Sequence, residues 1–239
     1  FPTHPYGTQT VIGTIDHLKN PSITEIKTYF DTYYRPNNVA ICLSGELDYD
    51  KTIAMIDKYF GDWQPNDQLP EWKKVNEAPI QKPVVKEVIG PDAEWVHIGF
   101  RHEGRTSEDY QKLRLLDMIL SNSQAGLIDL NLKQQQKVLE PVSMVEAMHD
   151  YSLHMITGRP REGQTLEEVR DLLLGQIDLI KKGEFDDWLI DAVINDMKKS
   201  RIMASEQNYS RANDMMNAFI YQMPWQQYVA EIEALRKYK

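Results

Sequence analysis

The stretch TYYRPNNVAICLSGELDYDK, residues 32–51, is the most informative part of the sequence for the fold. A helical pattern should end before Pro36, because the residue preceding a proline is pushed out of the α region. The apolar run at 38–44 then suits a strand that is covered on both faces. Asp48 follows an acidic turn and can accept a hydrogen bond from the first turn of another helix. The stretch therefore predicts a helix, a strand and a second helix lying on a sheet.

Both flanking helices carry sequence signals of their own. Ser22 and Glu25 have the spacing of a capping box, and Gly61 marks the end of the second helix. In each helix the apolar residues recur at helical spacing, so we expect one face to point inward. These residues are Ile23, Ile26, Phe30 and Tyr33 in the first helix and Tyr49, Ile53, Ile56 and Phe60 in the second.

Residues 62–83 contain four prolines and no apolar period, which is typical of a linker. We therefore predict the second half of one domain at 1–61, a linker at 62–83 and the first part of another domain at 84–239. The second domain should start with strands at 84–89 and around Val96, where apolar residues alternate.

Long helices separate the remaining strand patterns. One helix should be capped at Thr106 or Ser107 and be well covered, since it is apolar around most of its circumference. A short helix near 126–135 precedes two strands at 141–151 and 152–160. The next helix has Thr165 and Glu168 as a capping box and Gly183 as its end, and the region from Asp186 onward is helical with a break at Pro224. This order predicts an α+β fold.

The 239 residues carry a net charge of −9, and the charges are interspersed. This distribution argues against nucleic acid or an anionic membrane as the main partner. The single cysteine, Cys42, excludes an internal disulfide and lies in an apolar run, as a small buried hydrophobe would. The chain starts at Phe1 and ends within a helical pattern, so we expect a piece of a longer protein. The sequence does not distinguish a bacterial periplasm from a cytoplasm.

Catalytic and metal-binding patterns are weak. The closest histidine pairs, His97/His102 and His149/His154, are each five apart, which places the rings of a strand pair on opposite faces. Glu146 and His149 have a metal-ligand spacing but no second copy. The sequence also lacks a G-x-S-x-G elbow, a phosphate-binding loop and a dinucleotide fingerprint. We therefore predict no catalytic residue and no metal ligand in this chain.

Four sequence motifs in the first half occur in the same order as in a known family. They are HPYG at 4–7, a helix ending YYRPNN, a strand ending GELD and a helix ending YFG. Together they resemble the second half of the catalytic domain of the pitrilysin/insulinase zinc metallopeptidases. The run from Asp109 to Asp187 resembles the first half of the homologous inactive domain that follows. The resemblance implies two partial α/β sandwich domains with mostly antiparallel sheets and packed helices.

The resemblance also implies where the chemistry of a parent protein lies. In the family, an H-x-x-E-H helix and a later glutamate bind zinc upstream of the HPYG loop, so zinc belongs to the parent and not to this chain. An arginine and a tyrosine that assist catalysis in a later domain align with Lys133 and Glu140. Because Glu140 cannot replace a phenol, this departure fits either a pair kept in another domain or an inactive parent.

The predicted function is a non-catalytic portion of a zinc metalloendopeptidase that degrades or processes peptides. The chain would form part of the chamber wall and of the peptide-binding surface, with unfolded peptides and the remaining domains of the parent as partners. The resemblance places peptide binding at Val142, Ser143, Met144, Val145 and Glu146, where a peptide could add as a strand; the other interpretation is that this strand lies in the interior of the sheet. The alternative is a non-catalytic structural or substrate-presenting subunit of the same family.

Overall fold

The computed structural model describes residues 1–238 and contains two compact units, Phe1–Ile89 and Gly90–Lys239. The boundary between the units falls within the second domain that the sequence predicts, and the proposed partition at 61 and 83 stays a prediction. Lys239, the last residue of that predicted domain, lies outside the described residues.

The first unit is helical. Its elements are α1 (Pro5–Thr8), α2 (Ile15–Lys19), α3 (Ile23–Tyr33), a 3₁₀ turn at Pro36–Asn38 and α4 (Tyr49–Phe60). Ser22 and Asp48 are confirmed as N-caps, because Ser22 Oγ accepts a hydrogen bond from the Glu25 N–H at 3.2 Å and Asp48 Oδ1 accepts one from the Lys51 N–H at 3.1 Å. The second bond of the predicted capping box, from the Ser22 N–H to the Glu25 side chain, is not formed among residues 1–238. Gly61 ends α4, as predicted.

The predicted strand at 38–44 is wrong, and so is the burial of the helix faces beside it. Residues 1–89 form no strand, and His4 is their only buried residue. Phe30 in α3 and Ile53 in α4 are 54% and 63% exposed. A strand exists only where a partner strand satisfies its backbone groups, and this unit offers none. Without a sheet beneath them, the apolar stripes of the two helices remain at the surface.

The predicted linker at 62–83 lies within the first unit and is bonded to earlier residues of that unit, for example at Asn66 and Glu77. The Asn37 side chain donates to the carbonyl of Asn66 at 2.9 Å and accepts from the Asn66 N–H at 3.1 Å. Glu77 Oε1 accepts from the N–H groups of Thr3 and His4 at 2.8 and 2.7 Å. These bonds fix an otherwise irregular segment locally, although it contains no helix or strand.

The second unit is built on a three-stranded antiparallel sheet. Its strands are β1 (Val96–Glu103), β2 (Leu139–Ala147) and β3 (Tyr151–Arg159), in the order β1-β3-β2. The other strand expected here, at 84–89, is wrong: those residues are irregular and exposed. The α+β class with an antiparallel sheet is confirmed.

The helices of the second unit follow the predicted order. They are α5 (Glu108–Leu120), a π-helical turn (Asp129–Lys133), α6 (Leu166–Lys182), α7 (Trp188–Ser205), α8 (Asn208–Ile220), α9 (Trp225–Ala234) and a 3₁₀ turn (Leu235–Tyr238). Ser107 caps α5, the Thr165/Glu168 capping box starts α6, and Gly183 ends α6 with φ +70°. Among residues 1–238, no helix has both the length and the apolar character that a membrane span requires.

Helix α5 is central and contributes to both main cores of this unit. Leu120 packs with Ile156 of β3 and Leu173 of α6 in the core beneath the sheet. Ile119 packs with Val193 of α7 in a second core that reaches the C-terminal turn. The well-covered helix expected from its apolar circumference is therefore confirmed. The sheet is thus held from one side by α5 and α6.

Candidate functional site

The two faces of the sheet have different surroundings. Antiparallel partners point to the same face, so the register places Phe100, His154 and Val145 on the face that α5 and α6 cover. The opposite face carries Gly99, Met155 and Met144 in one row across the three strands. Met144 is 44% exposed, and a Cβ added at Gly99 would meet nothing within 4 Å. We call this second side the open face.

The five residues predicted to bind peptide all lie in β2. Val142, Met144 and Glu146 point to the open face, whereas Ser143 and Val145 point to the covered face. Strand β2 is at the edge of the sheet, and no other strand of the second unit lies along its outer side among the residues described. Half of its backbone N–H and C=O groups consequently point away from β3, which is the arrangement that accepts an added strand.

A buried polar network lies beneath this edge strand. Ser143 Oγ donates to Asp117 Oδ1 of α5 at 2.5 Å and contacts His154 Nε2 of β3 at 2.7 Å. His154 Nε2 is also 3.4 Å from Asp117 Oδ1. Ser143 and His154 are buried and Asp117 is partly exposed, so the network joins β2, β3 and α5 where solvent has little access. It fixes the position of β2 on the sheet.

This serine, histidine and aspartate do not form a nucleophilic triad. In such a triad the carboxylate bonds one ring nitrogen and the serine bonds the other, which then removes the serine proton. Here Ser143 and Asp117 both lie at Nε2 of His154, and the serine proton points to the carboxylate. The arrangement locks the strand and cannot activate Ser143 for attack.

His97 and His102 lie on opposite faces of β1, as their odd spacing predicted, whereas His149 lies in the turn between β2 and β3, where its Nδ1 is 2.7 Å from Asp150 Oδ1. His97 lies on the open face, while His102 lies on the covered face next to His154, with 6.3 Å between the two ring centroids. Burial, and next the electrostatic influence of the neighbouring His154 side chain, lower the pKa of His102 below its ordinary value. No group of three or more His, Cys, Asp or Glu side chains among residues 1–238 could hold a metal ion.

The resemblance aligns Lys133 and Glu140 with the family's arginine and tyrosine. Neither side chain lies in a catalytic environment among the residues that the structure describes. Lys133 lies in the π-helical turn and is exposed. Glu140 has a left-handed backbone, φ +49°, and accepts a hydrogen bond from Arg159 Nη1 at 3.0 Å. A carboxylate held in this ion pair acts as an acceptor and offers no phenolic proton.

A cleft of about 480 Å³ lies between the end of α5 and the start of α7. Its wall includes Trp188, Asn122 and Asn195. The Asn122 side chain accepts from the N–H groups of Gln124 and Ala125, and Asn195 accepts from Arg236. These two amides already have partners, whereas the side chains of Asp196 and Lys199, which also line the cleft, make no hydrogen bond or ion pair with any described residue.

Sequence reasoning missed the Ser143–His154–Asp117 network. Its members are far apart in the sequence, and only the alternation in YSLHMITG indicated that His154 shares a face with Ile156. The resemblance placed the candidate peptide-binding residues in the segment that forms β2, and that assignment stays a prediction. Sequence reasoning could not show that β2 is an edge, because strand order is not encoded in local periodicity.

Comparison with known proteins gives one family and several relatives. Residues 22–197 match the family model described as the Peptidase M16 inactive domain. The chain is 22% identical over 201 residues to the zinc protease PqqE of Helicobacter pylori, a match that covers 79% of this chain and 43% of that protein.

Two solved structures have the same fold. A protease from Helicobacter pylori superimposes with a TM-score of 0.76 at 18% identity, over 94% of this chain and 55% of that one. An M16-like peptidase from Alicyclobacillus acidocaldarius gives a TM-score of 0.70 at 12% identity, over 96% and 56% of the two chains. The chain thus spans about half the length of these relatives.

Proposed function

Because the chain belongs to the family of the Peptidase M16 inactive domain, we propose that it is the non-catalytic part of a zinc metalloendopeptidase. Its second unit would contribute to the wall of a peptide-binding chamber, and β2 would bind an extended, unfolded peptide. Zinc would be bound by an H-x-x-E-H helix elsewhere in the parent. This chain alone would cleave no peptide, because it contains neither that motif nor a substitute for it.

One observation carries the proposal: β2 combines an unpaired edge with an open face. An added peptide gains backbone hydrogen bonds from the edge, and those bonds do not depend on its sequence. Side chains of the peptide that point to the open face would lie beside Met144 and Glu146, both of which are exposed. An enzyme that cleaves many unfolded peptides needs this sequence-tolerant kind of recognition.

The Ser143 network supports the proposal from the other side of the strand. An ordered edge binds an added strand more tightly than a frayed one, because less conformational entropy is lost on binding. The bonds from Ser143 to Asp117 and His154 hold the middle of β2 in place before any peptide arrives. Preorganisation of this kind lowers the entropy that binding must overcome.

Peptides with selectively blocked backbones test the proposal. A strand pairs through the alternate N–H groups of one side, so N-methylation of every second residue removes pairing on that side only. We expect one of the two methylation frames to abolish binding of a labelled unstructured peptide to the full chain, while the other frame preserves it. Equal binding of both frames and of the unmodified peptide, measured by fluorescence anisotropy, would rule out strand addition.

The alternative is a structural or substrate-presenting subunit of the same family. The ion-paired Glu140, which the resemblance aligns with the family's tyrosine, fits this alternative and equally fits an enzyme that keeps the pair in another domain. Reading the parent gene separates the two functions: an upstream H-x-x-E-H supports the enzyme, and its absence supports the subunit. A biochemical test is whether the parent protein cleaves a quenched fluorescent peptide. Cleavage that is lost on chelation and regained with zinc supports the enzyme, and no cleavage supports the subunit.

A further inference from the structure

The part of β2 that can accept a regular strand is limited at its start by Pro141. The register between β2 and β3 shifts between Leu139 and Val142, and proline has no N–H to donate to a ladder. Regular pairing continues from Val142 to Ala147, before the turn to β3. At ~3.3 Å per residue, this leaves about 20 Å of usable edge.

The side chains that a bound strand would meet along this edge are Val142, Met144 and Glu146. Neighbouring strands place paired side chains about 5 Å apart on the same face. Two of the three are apolar, and the third is a carboxylate at the far end. Glu146 is exposed, and its carboxylate makes no hydrogen bond or ion pair with any residue that the structure describes. It is therefore available to a cation on the bound strand.

We propose that β2 selects extended peptides with two apolar side chains and one basic side chain at alternate positions. This inference rests on the proposed function, since it takes strand addition at β2 as given. The basic residue faces Glu146 and the apolar residues face Met144 and Val142. A peptide that runs parallel to β2 carries its basic residue last, and an antiparallel peptide carries it first.

Charge reversal on both partners tests the selection. The probes are fluorescein-labelled peptides with the core Val-Thr-Leu-Thr-Lys or the reversed core Lys-Thr-Leu-Thr-Val, each flanked by Ser and Gly, and the same peptides with Glu in place of Lys. We expect the full chain to bind one Lys peptide about two- to fivefold more tightly than its Glu counterpart at low salt. The difference should shrink at ~0.5 M salt, where exposed charges are screened.

The variant Glu146→Lys should reverse this order, so that the Glu peptide binds more tightly. Glu162→Lys is the matched control, because it makes the same change of net charge in an exposed turn after β3. It should leave the preference for Lys unchanged. Circular dichroism spectra confirm that both variants are folded.

The outcomes distinguish selection by Glu146 from strand addition at β2. Tight binding of all peptides without a charge preference, or an equal effect of both variants, would overturn the selection by Glu146 while strand addition stands. Failure of the wild-type chain to bind any of these peptides would overturn the proposed function itself. A preference that follows Glu146 alone supports both.

Discussion

Arg105 and Glu231 form a buried ion pair that joins the loop after β1 to α9. Both guanidinium Nη atoms donate to the two carboxylate oxygens at 2.7 Å, and the guanidinium lies over the rings of Tyr110 and Tyr221 at 4.4 and 5.2 Å. Burial alone would lower the pKa of Arg105, but the hydrogen bonds and charge of Glu231 raise it above its ordinary value. Charge and geometry thus specify where the C-terminal helix docks.

Removal of one partner should therefore cost more than removal of both. Glu231→Gln leaves a buried guanidinium without its counter-charge, and we expect the free energy of unfolding to fall by about 3 kcal/mol. The double variant Arg105→Met with Glu231→Leu should regain most of that loss. Urea unfolding followed by circular dichroism measures both. A double variant less stable than Glu231→Gln would contradict this view of the pair.

His102 makes stability depend on pH. Its folded pKa is lowered, mainly by burial and next by His154, so the unfolded chain binds the proton more readily. The stabilisation is present above the ordinary pKa of 6.5 and is lost as the pH falls through the folded value. We expect His102→Gln to flatten the decline in unfolding free energy between pH 7 and pH 5.

His97→Gln is the control for this measurement, because its ring lies exposed on the open face. It should keep the wild-type decline in urea-unfolding experiments across the same pH range. An identical pH dependence for wild type and His102→Gln would show that His102 is not responsible.

At the scale of elements, the sequence predicted helices better than strands. A helix satisfies its own backbone, so caps and periodicity locate α3, α4, α5 and α6 from local residues alone. A strand needs a neighbour. The apolar runs at 38–44 and 84–89 have strand-like composition, but no strand pairs with either among residues 1–238, and both are irregular. The candidate binding strand was predictable as a segment, whereas its edge position was not.

Gly175 within α6 and Gly183 just after its last residue should respond oppositely to substitution by alanine. Gly183 has φ +70°, so Gly183→Ala forces a Cβ into the left-handed region and should destabilise the chain by about 1 kcal/mol. Gly175 lies within the helix, and an added Cβ meets nothing within 4 Å, so Gly175→Ala should stabilise it by about 1 kcal/mol. Thermal or urea unfolding measures the pair. Changes of the same sign would contradict the assignment of Gly183 as the helix end.

At the scale of the molecule, the two units differ in how well they bury apolar surface. The second unit has two large cores, whereas residues 1–89 contain no buried apolar side chain. Apolar burial supplies most of the free energy of folding. The first unit should therefore open more readily than the second.

Limited proteolysis tests this difference. Lys86 lies in the irregular, exposed segment before Gly90, and its bond to Glu87 can be cut by trypsin, whereas Lys82 precedes a proline. At low trypsin concentration we expect early cleavage after Lys86 and persistence of the fragment that starts at Glu87, identified by mass spectrometry. Faster loss of that fragment than of the first unit would contradict the prediction.

Zinc binding is a second test at this scale. The parent is proposed to hold zinc upstream, and the described part of this chain has no cluster of ligands. We expect dialysis against micromolar zinc followed by metal analysis to give far less than one zinc per chain. Stoichiometric binding at sub-micromolar affinity would show a site that neither sequence nor structure predicted.

The short, bounded edge of β2 also bears on solubility. An open strand that receives foreign peptides can equally receive another copy of itself, and long unprotected edges lead to aggregation. Pro141 interrupts the ladder at one end, and Glu146 would meet a like charge when two parallel copies pair in register. On the proposed function, the Glu146 carboxylate that would select a basic peptide would also disfavour parallel pairing of two copies of the chain.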